Sequence, residues 1–288
     1  FFIKPIETYF FGFYRFFIDI GGNFLSRICP LFSSSKGNST FVGTEKSGVL
    51  IDIGRSAKQI EQSLSANNIN INSIKAIFIT HEHSDHIQGL KIFASRYKLK
   101  VFATSGTIDA LREKGILTNN FTVEIIDSGA VEVCGMYIKA FKTPHDSRQS
   151  VGYIIDTSDD KRAAIATDIG YMTDSVRNAI TGSDVVLIES NHDIRMLQNG
   201  SYPYYLKKRI LSNIGHLSND ACAAELPNFI KSGTNKFILA HLSQENNIPE
   251  LALETSICHL SSHNMTHGND FQLTVAPVQN LGSVNVNF

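Results

Sequence analysis

Ile77-Phe78-Ile79-Thr80-His81-Glu82-His83-Ser84-Asp85-His86 is the stretch on which the reading of this chain turns. An apolar run of strand-forming residues passes directly into three histidines and an aspartate. In extended backbone, side chains at i and i+2 share a face, so His81 and His83 can converge on one ion. Ile87, Leu90, Ala94 and Tyr97 then recur at helical spacing, which predicts a helix over 86–96. Where the strand turns into that helix, Asp85 and His86 point another way and can serve a second ion. Imidazole and carboxylate suit zinc, manganese or iron, and without cysteine ligands a closed structural zinc site is not expected. The alternative is a polar turn that is merely rich in histidine. Three His and one Asp within the six residues 81–86, directly behind an apolar strand, outweigh it.

On either side, short Ile/Val/Phe-rich runs bounded by Gly, Asn, Asp or Ser alternate with helical patterns. Strands are expected at 28–32, 40–43, 49–53, 75–80, 100–103, 122–126, 131–134, 136–142, 151–157, 162–167, 184–189, 236–241 and 271–276. Helices are expected at 56–66, 86–96, 105–114, 173–181, 203–213, 218–232 and 249–262. Strands and helices intermix in both halves and no linker-like stretch interrupts 27–288. One α/β (α+β) domain, with two packed sheets and helices outside, is the expectation.

Three further polar residues close apolar runs: His145 after the strand at 136–142, Asp168 after Ala163-Ala164-Ile165-Ala166-Thr167, and His241 after Phe237-Ile238-Leu239-Ala240. Each alone reads as an ordinary strand-end residue. Their shared placement adds weight to a ligand role.

The 288 residues are 42% hydrophobic and 18% charged, ordinary for a globular chain able to bury a sizeable core. A formal net charge of −1 argues against a protein that coats nucleic acid over its whole surface, though a local basic groove stays open. Cys29, Cys134, Cys222 and Cys258 lie far apart, so free thiols in a reducing compartment are expected. Residues 1–26 hold eight of the nineteen phenylalanines. Arg15 and Asp19 break this stretch too early for a membrane span, and no small-residue cleavage site follows. It is read as a loosely packed extension outside the core, with residues 27–288 as the hydrolase domain.

The His-x-His-x-Asp-His signature, followed by a lone His, Asp and His at these intervals, resembles the metallo-β-lactamase superfamily over about residues 27–276. That resemblance implies a four-layer αββα sandwich and two divalent ions, zinc or manganese. His81, His83 and His145 would hold one ion, Asp85, His86 and His241 the other, and Asp168 would bridge them. Asp52, in Val49-Leu50-Ile51-Asp52-Ile53-Gly54, would support the ligand loop. Further stretches resemble the YycJ (WalJ) group: Cys29 to Asn38, Ile188 to Asp193, Tyr202 to Lys207, and Gly215 to Asn219. That group comprises bacterial cytoplasmic proteins regarded as 5′-to-3′ DNA exonucleases, which implies a cytoplasmic enzyme with DNA as its substrate partner. Glu189, His216 and His241 follow the order seen in tRNase Z, where a Glu–His pair helps protonate the leaving group. The chain has no room for the inserted domain of the β-CASP nucleases.

Two divalent ions roughly 3.5–4 Å apart can activate a water for in-line attack on phosphorus. His216, oriented by Glu189, is the expected proton donor to the leaving alkoxide, and Asp85 is counted with them as catalytic. A capping or solvent-facing role is the alternative for His216; His192 is either a supporting partner or a substrate contact. Ser35, Lys36 and Asn38, in a Ser/Gly-rich loop, can present donors to a substrate phosphate, although a plain turn reads equally well there. Lys207-Lys208-Arg209 can meet DNA phosphates or simply form a solvated face. His259, His263 and His267, spaced by four, read as exposed polarity. The leading function is a metal-dependent DNA exonuclease. The alternatives are a small-molecule hydrolase of a thioester, lactone or cyclic phosphodiester on the same fold, and a protein with a structural or vestigial metal site. Asp168 stands where the common zinc β-lactamases carry Cys, which argues against that activity.

Overall fold

The computed structural model describes residues 25–288. The extension expected over 1–26 therefore lies almost wholly outside the described residues. Of its last two members, Leu25 is exposed, whereas Ser26 is buried and donates to Asp159 through its N–H and its hydroxyl.

Alternation along the strands sets the architecture. In β1 (Arg27–Phe32), β2 (Ser39–Gly43), β3 (Gly48–Ile51), β4 (Ile74–Phe78), β5 (Lys100–Ala103) and β6 (Val123–Ile125), side chains leave by turns towards opposite faces. Leu31, Phe41, Leu50 and Ile77 face α1 (Ala57–Ala66), α2 (Ser84–Ile87), α3 (Leu90–Tyr97) and α4 (Ser105–Glu113). Ile28, Val42, Val49, Ile51 and Phe78 face the other way, onto Ile138, Tyr153, Ile155, Ile165, Leu187 and Ile238. Those partners belong to a second sheet, built from β7 (Ala130–Val133), β8 (Met136–Lys142), β9 (Val151–Asp156), β10 (Arg162–Ala166), β11 (Val185–Glu189), β12 (Lys236–Ala240) and β13 (Gln272–Val275). Its outer side chains, among them Ala164, Val186, Ile188 and Leu239, pack on α5 (Asp174–Ile180), α8 (Asn219–Lys231) and α9 (Pro249–Ser262). Three apolar seams separating helix, sheet, sheet and helix make a four-layer αββα sandwich, as expected.

The strand orders are β14-β1-β2-β3-β4-β5-β6 and β13-β12-β11-β10-β9-β8-β7, where β14 (Val286–Asn287) returns to pair with β1. Strands β3 to β6 run parallel, as do β10 to β13. The carboxyl ends of each parallel set therefore lie along one edge, the usual place for a site in parallel sheets.

The expected strands are all present, with ends shifted by a residue or two. Strand β14 was not among the expected strands, and three α-helical elements also differ. The helix expected over 86–96 begins at Ser84 and breaks after Ile87, because the Gly89 N–H leaves the helix to donate to the Ile53 carbonyl at 2.9 Å. A Cβ at Gly89 would overlap the Arg55 carbonyl, so only glycine allows that approach. The helix expected over 203–213 is α7 (Tyr204–Ile210), ended by a turn in which Gly215 donates to Ser212. The short α6 (Ile194–Asn199), capped by Asp193 on the Met196 N–H at 2.7 Å, was not anticipated. Among the described residues no helix is long and apolar enough to cross a membrane.

Candidate metal centre

Several strands release a polar side chain just past their last apolar residue, and three of those residues adopt left-handed backbone. Asp52 follows β3 with φ of 63°, Asp168 follows β10 with φ of 57°, and His241 follows β12 with φ of 57°. This conformation is uncommon outside glycine, more accessible to Asp, Asn and His, and gathers at functional sites. It ends each strand abruptly. At His241 the turn is held from both sides, since its N–H donates to Ser33 Oγ at 2.7 Å and its carbonyl accepts from Asn191 Nδ2 at 2.8 Å.

The histidine rings are aimed by whatever occupies Nδ1. His86 Nδ1 meets Asp52 Oδ2 at 2.7 Å, His145 Nδ1 meets the Gly215 carbonyl at 3.0 Å, and His241 Nδ1 meets Glu189 Oε1 at 2.8 Å. His81 Nδ1 lies 3.1 Å from the Thr80 hydroxyl, which itself donates to Asp52 Oδ2 at 2.8 Å. A ring anchored at Nδ1 presents Nε2 to the interior, the arrangement usual for metal-ligating histidine. His83 is the exception, with its Nδ1 3.2 Å from His145 Nε2.

Ligand atoms of His81, His83 and His145 lie within 4.8 Å of one another, and so do those of Asp85, His86 and His241. Asp168, buried, stands between the two sets. Its Oδ2 is 3.3 Å from His86 Nε2, while its Oδ1 is 3.6 Å from His145 Nε2. All seven residues expected as ligands are thus brought together. A further grouping within the same limit joins Asp168, Glu189, His216 and His241.

Whether this cage suits cations can be judged from its own atoms. His81 Nε2, His241 Nε2 and Asp168 Oδ2 are buried without a hydrogen-bond partner, a costly state for a polar atom unless something else satisfies it. Burial and the neighbouring His86 hold His81 well below the ordinary histidine range, so its ring is neutral and its lone pair available. Burial and the nearby His216 likewise lower His145. At His86, burial opposes charge, yet Asp168, Asp85 and Asp52 raise it well above the usual value. At His241, burial is likewise overcome by Asp168, Asp85 and Glu189, which push it up to about 10. Buried Asp52, Asp168 and Glu189 and half-buried Asp85 crowd one space, and protons on His86 and His241 offset part of their charge. Two divalent ions would replace those protons, and the donors are the imidazoles and carboxylates that such ions take.

Glu189 joins the metal cage to its flank. Fully buried, it accepts from the His216 and His241 rings at Oε1, both at 2.8 Å, and from the Ile169 and Leu217 N–H groups at Oε2, at 2.8 and 3.0 Å. Burial alone would raise its pKa, but His216 and His241 bring it down to about 2, so it is a carboxylate throughout the working range. His216 is 12% exposed, and its ring stands 5.1 Å from that of His145. His192 is buried, with Nδ1 3.4 Å from Asn191 Oδ1 and Nε2 unpartnered, and burial lowers it to about 4.

Other expected residues separate. Asn38 is buried against the centre, its Nδ2 3.2 Å from Asp85 Oδ2, whereas Ser35 and Lys36 line a cavity beside Asp85. Within 207–209, Lys207 donates to the Gln198 and Gly200 carbonyls and Arg209 pairs with Asp146, the neighbour of His145; Lys208 is exposed. His263 Nδ1 meets the His259 carbonyl at the end of α9, and His267 Nε2 accepts from the Leu273 N–H; none joins a candidate cluster among the described residues. Thr80, Ser33, Asn191 and Asp146 support the site although the sequence gives none of them a role there, and Arg209, expected at DNA phosphates or on a solvated face, pairs with Asp146. Thr80 had a signal, being the polar residue that ends an apolar run one place before His81. Ser33, Asn191 and Asp146 offered none.

Comparison with known proteins agrees with this fold. A family model described as a beta-lactamase superfamily domain matches residues 48–242. Exodeoxyribonuclease WalJ of Streptococcus pneumoniae is 37% identical over 246 residues, covering 84% of this chain and 91% of that protein. Exodeoxyribonuclease YycJ of Bacillus anthracis is 37% identical over 226 residues, covering 77% of this chain and 84% of that protein. Among solved structures, the metallo-beta-lactamase fold protein YhfI from Bacillus subtilis superposes with a TM-score of 0.66 at 12% identity. It covers 92% of this chain and 100% of its own, a likeness of fold alone.

Proposed function

The chain belongs to the metallo-β-lactamase superfamily and is a metal-dependent hydrolase. From that footing we propose that it is a DNA exonuclease of 5′-to-3′ polarity that uses two divalent ions, zinc or manganese, to cleave phosphodiester bonds. The observation that carries the reading is the Glu189–His216 pair beside the ligand cage, with His216 Nδ1 held at 2.8 Å.

His81, His83 and His145 would hold one ion, Asp85, His86 and His241 the other, with Asp168 shared between them. When bound, the ions neutralise phosphate oxygens and make a water nucleophilic near neutral pH. The chain's own groups do the rest. Glu189 fixes the His216 ring through Nδ1, which leaves His216 Nε2 free to give a proton to the departing sugar oxygen. The N–H groups of Ile169 and Leu217 hold Glu189 still. Asp85, its side chain 21% exposed, is the carboxylate of the cage most open to solvent, placed to orient the attacking water as a hydrogen-bond acceptor. A cytoplasmic setting fits the four unpaired thiols of Cys29, Cys134, Cys222 and Cys258.

The test is hydrolysis of single-stranded DNA labelled at either end, with Mn²⁺ or Zn²⁺ and with chelator. Mononucleotides are expected to appear first from the 5′ end, and chelator to abolish the reaction. Turnover of a thioester or lactone, with DNA left intact under every metal, would overturn the proposal.

A further inference from the structure

Lys36, Arg55 and Lys114 border a cavity of about 520 Å³ that meets the centre at Asp85, with Ser35 and Gln88 adding polar groups to its wall. Arg55 is set in place from two sides. Its guanidinium lies 5.9 Å from the centre of the Phe32 ring, and Gly37 leaves it room, since a Cβ there would overlap the Arg55 side chain. The Arg55 Nε is buried and has no hydrogen-bond partner. Among the described residues neither Arg55 nor Lys114 makes an ion pair. Lys36 reaches Glu245 only at 3.8 Å, with both side chains more than half exposed. The one carboxylate on the cavity wall, Asp85, is already engaged by His86 at 3.3 Å and His241 at 3.5 Å. Three cations beside a centre that handles phosphate are thus left without close compensation, in a chain whose formal net charge is −1.

A second cavity, of about 410 Å³, meets the centre at His216 and is lined by His192, Tyr171 and Leu211; it shares no residue with the first. If His216 protonates the leaving oxygen, the departing nucleotide lies on that side, and the strand kept after cleavage lies towards Asp85. We propose that Lys36, Arg55 and Lys114 form a subsite for a backbone phosphate of that retained strand. The assignment rests on reading the centre as a DNA nuclease and adds which wall the polymer follows.

The probe is a fluorescent, phosphorothioate-linked single strand about ten nucleotides long, which resists hydrolysis, titrated with the metal-loaded enzyme over a range of salt. Each phosphate neutralised on a single strand contributes about 0.7 to the slope of log affinity against log salt. Arg55→Ala combined with Lys114→Ala is expected to lower that slope by about 1.4. Lys114→Gln alone, at the exposed end of α4, should remove about 0.7 even if the Arg55 change loosens the packing against Gly37. Lys231→Ala, at the far end of α8, serves as the control for diffuse electrostatics and should leave the slope in place. A parental slope in both the double variant and Lys114→Gln overturns the subsite, whether or not DNA is cut. Loss of slope in those variants, with unmodified DNA left uncut by the parent enzyme, would sustain the phosphate subsite and retire the nuclease reading.

Discussion

Asp168→Asn is expected to empty the centre of both ions and to lower kcat by at least about 10³-fold, roughly 4 kcal/mol of transition-state stabilisation. The expectation follows from position. Oδ2 of Asp168 faces His86 and Oδ1 faces His145, so one carboxylate serves both halves of the cage. Removing its charge leaves each half short of an anionic donor at once. Asparagine is the informative replacement, because it tolerates the left-handed backbone with φ of 57° that alanine would resist. Melting should therefore stay within a few degrees of the parent compared without metal, since a shift of 1 kcal/mol moves a chain of this size by about 2–4 °C. Elemental analysis and a melt on the same sample separate lost metal from lost fold. A variant that keeps two ions and full turnover would show that Asp168 does not bridge.

His216→Ala is the second large effect. A general acid contributes about 10²–10⁴-fold, or roughly 3–5 kcal/mol, and kcat on DNA should fall by that factor with metal content near the parent value. The loss should shrink on a nitrophenyl phosphodiester, whose leaving group departs without a proton. Equal losses on both substrates would mean that His216 works through binding or packing. Glu189→Gln should be more severe than a pure orienting role implies. The same Oε1 that holds His216 also holds His241, so this variant combines the leaving-group dependence with lower metal occupancy.

Much of this was readable from residues because chemistry and periodicity coincide. The run Ile77 to Thr80 breaks into His81–His86 at the very end of β4, and the apolar runs before Asp168 and His241 end the same way at β10 and β12. Hence two packed sheets with helices outside were readable from the residues, and the family resemblance implied the four layers and the seven ligand positions. What was hidden depended on backbone geometry and long-range contact. Nothing in Gly54, Arg55 or Gly89 announces that the 53–55 loop touches the start of the first signature helix, yet a Cβ at Gly54 would overlap the Asp85 carbonyl. The break in the 86–96 helix follows from that contact, which periodicity cannot register. The double duty of Glu189 was equally invisible, since His216 and His241 lie 27 and 52 residues away. Asn38 reads in sequence as a loop residue open to substrate, but it is buried between Asp85 and His86, bonded inward.

Where the ions bind decides every role assigned to these side chains. The most direct measurement is anomalous diffraction from crystals grown with Zn²⁺ or Mn²⁺. Two peaks are predicted, one ligated by His81, His83 and His145 and the other by Asp85, His86 and His241, with Asp168 touching both and His216 touching neither. A single peak, or one seated among Asp168, Glu189, His216 and His241, would contradict it, because an ion there would replace the Glu189 hold on His216 Nδ1 that the donor role requires.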